Sequence, residues 1–138
     1  MMLHQASCVA IEGRALLIEG APGSGKSSLA LALIDRGATL VGDDGVALVV
    51  EGGHLLASPA PAIAGLLEVR NVGLLRYPVA QRVPVALVAR LDQAAERLPH
   101  GPDVVPLLGL ALPLVRLWPD SPVLALRALA ALARFGRD

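Results

Sequence analysis

Gly20-Ala21-Pro22-Gly23-Ser24-Gly25-Lys26-Ser27 carries the spacing Gly-x-x-x-x-Gly-Lys-Ser. The apolar run Ala15 to Glu19 precedes it, and a stretch of helical composition, Ser27 to Arg36, follows. Strand, glycine-rich loop and helix form the context in which this spacing marks a phosphate-binding P-loop. The glycines permit backbone conformations that turn successive N–H groups toward phosphate oxygens. The positive end of the following helix adds to them. In such a loop Lys26 reaches the β- and γ-phosphates and Ser27 offers its hydroxyl to Mg²⁺. An ordinary glycine-rich turn would require neither residue. Lys26 is also the only lysine among twelve basic residues, so the one compact ammonium of an arginine-rich chain stands where phosphate is expected. The loop therefore predicts nucleoside triphosphate binding and leaves the reaction open.

Outward from the loop, Ser7 to Ile11 and Ala15 to Glu19 read as strands, the second apolar on both faces and so central in a sheet. Gly37 closes the helix, and Ala38 to Gly42 returns to a strand that ends in Asp43-Asp44. Val46 to Val50 and His54 to Ala57 predict a hairpin across Gly52-Gly53. Ser58 to Ala64 reads as a proline-rich loop, Leu66 to Val69 and Val72 to Leu75 as short extended pieces, and Val83 to Leu91 as a strand. Glu96 to Pro106 is expected to be loop and Leu107 to Val115 mixed. Val123 to Phe135 predicts an amphipathic C-terminal helix whose Leu124, Leu126, Leu129 and Leu132 pack on the sheet or on a neighbouring subunit.

The length of 138 residues fits one domain, residues 1–138, with a core of its own. Only 2% of residues are aromatic, so that core must be built from Ala, Val, Leu and Ile. A formal net charge of zero gives no footprint for nucleic acid or for an anionic membrane surface. Met1 to Glu12 lacks the pattern of a signal peptide, and Val104 to Val115, interrupted by Pro106 and Pro113, is too short to span a bilayer. The lone Cys8 excludes an internal disulfide and reads as a small buried hydrophobe. A cytoplasmic protein is expected.

Asp43 and Asp44 direct the chemistry. A strand beside the P-loop strand that ends in acid places a carboxylate near the bound metal, and two of them permit a division of labour. One holds Mg²⁺ and the other accepts a proton from an attacking hydroxyl. Elsewhere an Asp-Asp-Gly sequence would read as a solvated turn.

The set His4, Gly20 to Ser27, Leu40-Val41-Gly42-Asp43-Asp44 and Leu67-Glu68-Val69-Arg70-Asn71-Val72-Gly73 resembles the catalytic domain of HPr kinase/phosphorylase, in a short form without the family's separate N-terminal domain. The resemblance covers most of the chain and is weakest after about Pro99. It implies an α/β, P-loop-containing kinase domain with a central mixed sheet, similar to PEP carboxykinase, and a C-terminal helix. It implies ATP and Mg²⁺ as cofactors, a serine of an HPr-type phosphocarrier as acceptor, and a homo-oligomer, commonly a hexamer. By the same resemblance, ATP is held by Gly20, Ala21, Pro22, Gly23, Ser24, Gly25, Lys26 and Ser27, and metal by Ser27, Asp43 and Glu68. Asp44 is preferred as base over Asp43, Arg97 falls near the catalytic arginine, and the family histidine falls on Gln5 or His4.

This chain has Asn71 in place of a glycine in the family's Glu-x-Arg-Gly pattern, and no glycine-arginine pair around Leu117 to Pro122. Kinase activity is therefore expected with little phosphorolysis. The competing readings are a P-loop kinase or NTPase for a small molecule, which gives Glu68-Val69-Arg70 no purpose, and a non-catalytic ATP-sensing module.

Overall fold

A computed structural model describes all residues, 1–138. Its strands are β1 (Met2–His4), β2 (Ser7–Ile11), β3 (Arg14–Glu19), β4 (Thr39–Gly42), β5 (Val46–Glu51), β6 (His54–Pro59), β7 (Leu66–Val69), β8 (Gly73–Arg76), β9 (Val83–Leu91), β10 (Asp103–Leu107) and β11 (Leu110–Leu117). Two helices, α1 (Lys26–Asp35) and α2 (Leu124–Phe135), complete it.

Nine strands form one mixed sheet, seven along the path β1-β5-β6-β9-β3-β2-β4 with β11 and β10 branching from β9, and β7-β8 make a separate ribbon. The long strand β9 organises the sheet. One edge pairs in parallel with β3, and the other is shared between β6 near its start and β11 near its end. Three parallel strands, β3, β9 and β11, thus finish at the same end, which is where ligands of open α/β sheets bind.

Side chains alternate across this sheet. On β3, Leu16 and Ile18 join a cluster with Leu29 and Leu33 of α1 and Leu124, Ala128 and Leu132 of α2. Ala15 and Leu17 face the opposite cluster with Cys8, Leu48, Leu55, Val88 and Leu112. Both helices lie on one face; the hairpins cover the other. As expected, β3 is buried on both faces and both clusters are aliphatic, with only the half-buried Tyr77 and Phe135 packed against the helix side.

Two expectations are corrected and a third is narrowed. Glu96 to Pro106 is not all loop, because β10 forms from Asp103 and pairs antiparallel with β11. Val104 and Val105 favour extended backbone, and Pro106 is tolerated on an edge strand, where its missing N–H leaves no ladder bond unmade. Ser58 and Pro59 extend β6, and a 3₁₀ turn at Pro61–Ile63 follows. The buried stripe of α2 is Leu124, Ala125, Ala128, Ala131 and Leu132. Leu129 is only half-buried and Leu126 is 48% exposed, since the helix lies close against the sheet on its alanine side.

Candidate active site

The loop Gly20 to Gly25 leaves the end of β3 and enters α1 at Gly25, whose φ of 106° lies in the left-handed region that favours glycine. At Gly20 a Cβ would collide with the Ser24 hydroxyl and press on Leu91. The Lys26 ammonium donates to the carbonyls of Gly20 at 2.9 Å and Ala21 at 3.2 Å, which holds it against the loop. The N-terminus of α1 has no side-chain cap and no acid in its first turn. Its free N–H groups and positive dipole end therefore await an outside anion. Ser24 Oγ is buried without a hydrogen-bond partner.

Strand β4, held beside β2, delivers the two aspartates to this loop. Asp43 is 7% exposed, and its carboxylate is held from three directions. Oδ1 accepts from Ser7 Oγ at 2.8 Å and Ser27 Oγ at 2.7 Å, and Oδ2 accepts from the Glu68 N–H at 3.1 Å. Asp44 follows in left-handed backbone, φ 59°, and its side chain is exposed to the cleft. An aspartate tolerates that conformation better than most residues.

A cavity of about 410 Å³ lies between these groups. Gly25, Lys26 and Ser27 line it from the loop, Asp43 and Asp44 from β4, and Glu68 and Arg70 from the β7–β8 ribbon. Asn71 turns the ribbon with a φ of 69°, so the glycine-like conformation is kept without glycine.

The orphaned Ser24 hydroxyl, the uncapped helix and Lys26 fit a phosphate chain. Nowhere do three or more His, Cys, Asp or Glu side chains converge as a metal cage. That suits Mg²⁺, which takes one or two protein oxygens and completes its shell with phosphate and water. Ser27 and Asp43 are the oxygens at hand.

His4 and Arg97 stand elsewhere. His4, one of the two positions on which the family histidine falls, meets Glu19 Oε2 through its Nε2 at 2.8 Å. Arg90, paired with Glu19 across the parallel β3–β9 ladder, donates to Oε1 of the same carboxylate at 2.8 and 3.2 Å. Glu19 precedes Gly20 directly, so this triad anchors the root of the loop. The His4 hydrogen bond, and after it Arg90, holds the Glu19 carboxyl below its ordinary range, against the opposing effect of burial. Gln5 lies in the same side cleft as His4. Arg97 lies on a third cleft beside α2, because the chain turns away after β9. Burial pushes the Cys8 thiol far up, so it stays protonated as a core residue.

Ser7 is a site residue that the motif reading missed. Its signal was a hydroxyl amid the apolar run of a central strand, where burial requires a partner. Glu19 and Arg90 gave no local signal, since they lie 71 positions apart.

The model of the HPr serine kinase C-terminal domain family matches residues 1–117. The HPr kinase/phosphorylase of Cupriavidus pinatubonensis is 38% identical over 119 residues, which cover 78% of this chain and 37% of that protein. The one from Burkholderia cenocepacia is 38% identical over 114 residues, 74% of this chain and 35% of that protein. The chain thus spans a little over a third of the length of these curated relatives. The solved Hpr(Ser) kinase/phosphatase of Coxiella burnetii matches with a TM-score of 0.84 at 27% identity, covering 96% of this chain and 95% of that one.

Proposed function

We infer that this chain, which belongs to the HPr serine kinase C-terminal domain family, is an ATP-dependent kinase that phosphorylates a serine of an HPr-type phosphocarrier. The observation that carries the reading is the pairing of a buried, triply held Asp43 with an exposed Asp44 in one cleft with Lys26 and Ser27. A site that only stored a nucleotide would need the first carboxylate and not the second.

In this reading the loop N–H groups and Lys26 bind the phosphates, and Ser27 and Asp43 take Mg²⁺. When bound, MgATP supplies the phosphoryl group and the cationic charge that eases its departure. Ser7 and the Glu68 N–H keep the Asp43 carboxylate aimed at the metal position whether or not Ser27 stays bonded to it. Asp44, facing the open side, accepts the proton of the incoming serine hydroxyl. Arg70, on the ribbon, is the arginine of this cleft and takes the charge-neutralising role expected of Arg97. Glu68 beside it is a second candidate for the metal.

A protein acceptor suits the cleft mouth, where Ile63, Val72 and Leu74 are exposed around the ribbon. We further propose that residues 1–138 act as one catalytic unit within a homo-oligomer, and that transfer runs mainly in the kinase direction. No helix is long and apolar enough to cross a membrane.

The test is transfer of label from γ-labelled ATP, with Mg²⁺, to an HPr-type phosphocarrier. Label on a carrier serine is expected. A folded protein that binds ATP and labels no carrier would overturn the reading.

A further inference from the structure

A cluster of positive charge lies away from the proposed catalytic cleft. A cavity of about 470 Å³ opens between the segment after β9 and the exposed face of α2, lined by Arg97, Arg116, Arg127 and Arg134 against the single acid Glu96. Arg116 is spent, because it pairs with Asp92 and Asp103. Arg97, Arg127 and Arg134 form no ion pair. In a chain of zero net charge, three unneutralised guanidinium groups on one cleft are a local excess.

Two of the three aromatic residues of the chain, Trp118 and Phe135, line the same cavity. Trp118 is 40% exposed, and its indole N–H donates to the Ala95 carbonyl, so the ring is fixed with part of its surface to solvent. Arg127 lies over the Trp118 ring at 6.0 Å and Arg134 over Phe135 at 5.0 Å. Stacking of this kind preorders guanidinium groups that would otherwise lose freedom on binding. Leu98, 82% exposed, also lines the cleft.

We propose that this cleft docks an acidic segment of a partner protein, with carboxylates on Arg127 and Arg134 and an apolar side chain between Trp118 and Leu98. Spacing identifies the ligand class. The two arginines are seven positions apart, which puts them on one face of α2 about 10 Å apart along the axis. A peptide in the polyproline II conformation presents side chains on one face at every third residue, about 9 Å apart. A single phosphate group bridges no such distance, and the cleft offers it no helix N-terminus. The proposal does not depend on the kinase reading, since neither helical arginine belongs to the proposed catalytic machinery.

Trp118 is the only tryptophan, so its emission reports on this cleft alone. The probe is a capped synthetic peptide with aspartate at every third position and leucine and proline between, compared with its asparagine counterpart and with inorganic pyrophosphate. Saturable change in Trp118 emission with the aspartate peptide, lost at high salt, is the expected result. Arg127→Gln and Arg134→Gln should each weaken it by about fivefold or more, with unchanged thermal midpoints because both side chains are exposed. No response, equal binding of the asparagine peptide, equal binding of pyrophosphate, or indifference to both substitutions would each overturn the proposal. So would Trp118 emission that depends on protein concentration without peptide, which would assign the cleft to a second copy of the chain.

Discussion

Asp43 and Asp44 are neighbours in the chain, but the backbone turns between them, from the buried end of β4 to a left-handed residue facing the cleft. The two should therefore fail differently. Asp44→Asn removes a proton acceptor and leaves every hydrogen bond around Ser27 in place. Transfer should fall by about 10²- to 10⁴-fold, the range for one general base, with nucleotide affinity retained. Asp43→Asn replaces one carboxylate oxygen by an NH₂ donor, which must then face either the Glu68 N–H or the two serine hydroxyls. It should weaken Mg²⁺-dependent nucleotide binding as well as transfer. Titration with nucleotide and carrier labelling on both variants check this, and equal loss of nucleotide affinity in the two would contradict the division of labour. Sequence made the glycine loop and the aspartate pair legible, because their chemistry is carried by adjacent residues. It left the order of the aspartates open, since burial is set by Ser7 and Glu68, 36 and 25 positions away. That His4 and Arg97 line other clefts was likewise not legible, since their surroundings are set by residues distant in the chain.

At the scale of elements, β1, β3 and β9 are tied at the root of the loop by His4, Glu19 and Arg90. The Glu19 carboxyl titrates below its ordinary value of 4.5, first because of the His4 hydrogen bond and then because of Arg90. A depressed carboxyl stabilises the fold above its unfolded pKa, and that contribution is lost as pH falls through the folded value. Melting temperatures of the native chain and Glu19→Gln should therefore differ above about pH 4.5, and the gap should narrow as pH falls below it. Thermal melts of both proteins across that range decide the matter; a gap that persists unchanged in acid would show that the charge of Glu19 is not its source. Strands whose pattern is local, such as β3 and β9, were readable from their apolar runs. Strand β10 was not, because Pro106 signals a break unless the neighbour that makes it an edge is already known.

For the whole molecule, β9 divides the interior, with Leu87 and Ala89 on the helix side and Val85 and Val88 on the hairpin side. Aliphatic composition foretold the material of both clusters. It did not foretell that alanines rather than leucines form much of the α2 contact, because helix-to-sheet distance is a property of the assembled layers. The difference is measurable. Leu87 is fully buried at the centre of the helix-side cluster, so Leu87→Ala should cost about 2–5 kcal/mol, transfer and cavity effects together. Leu126 has the same side chain and was expected to pack on the sheet or on a neighbouring subunit; in the single chain it is 48% exposed, which leaves only the second. Leu126→Ala should change the stability of the isolated chain by no more than about 0.5 kcal/mol. In the proposed homo-oligomer the comparison gains a second axis, since any subunit contact stabilises by mass action and makes the melting temperature depend on protein concentration. Denaturant unfolding of both variants at several concentrations separates the two contributions. The Leu87→Ala loss should appear at every concentration, whereas any Leu126→Ala loss should vanish on dilution. A Leu126→Ala cost of several kcal/mol in the dilute chain would mean that α2 packs through a different face from the one seen here.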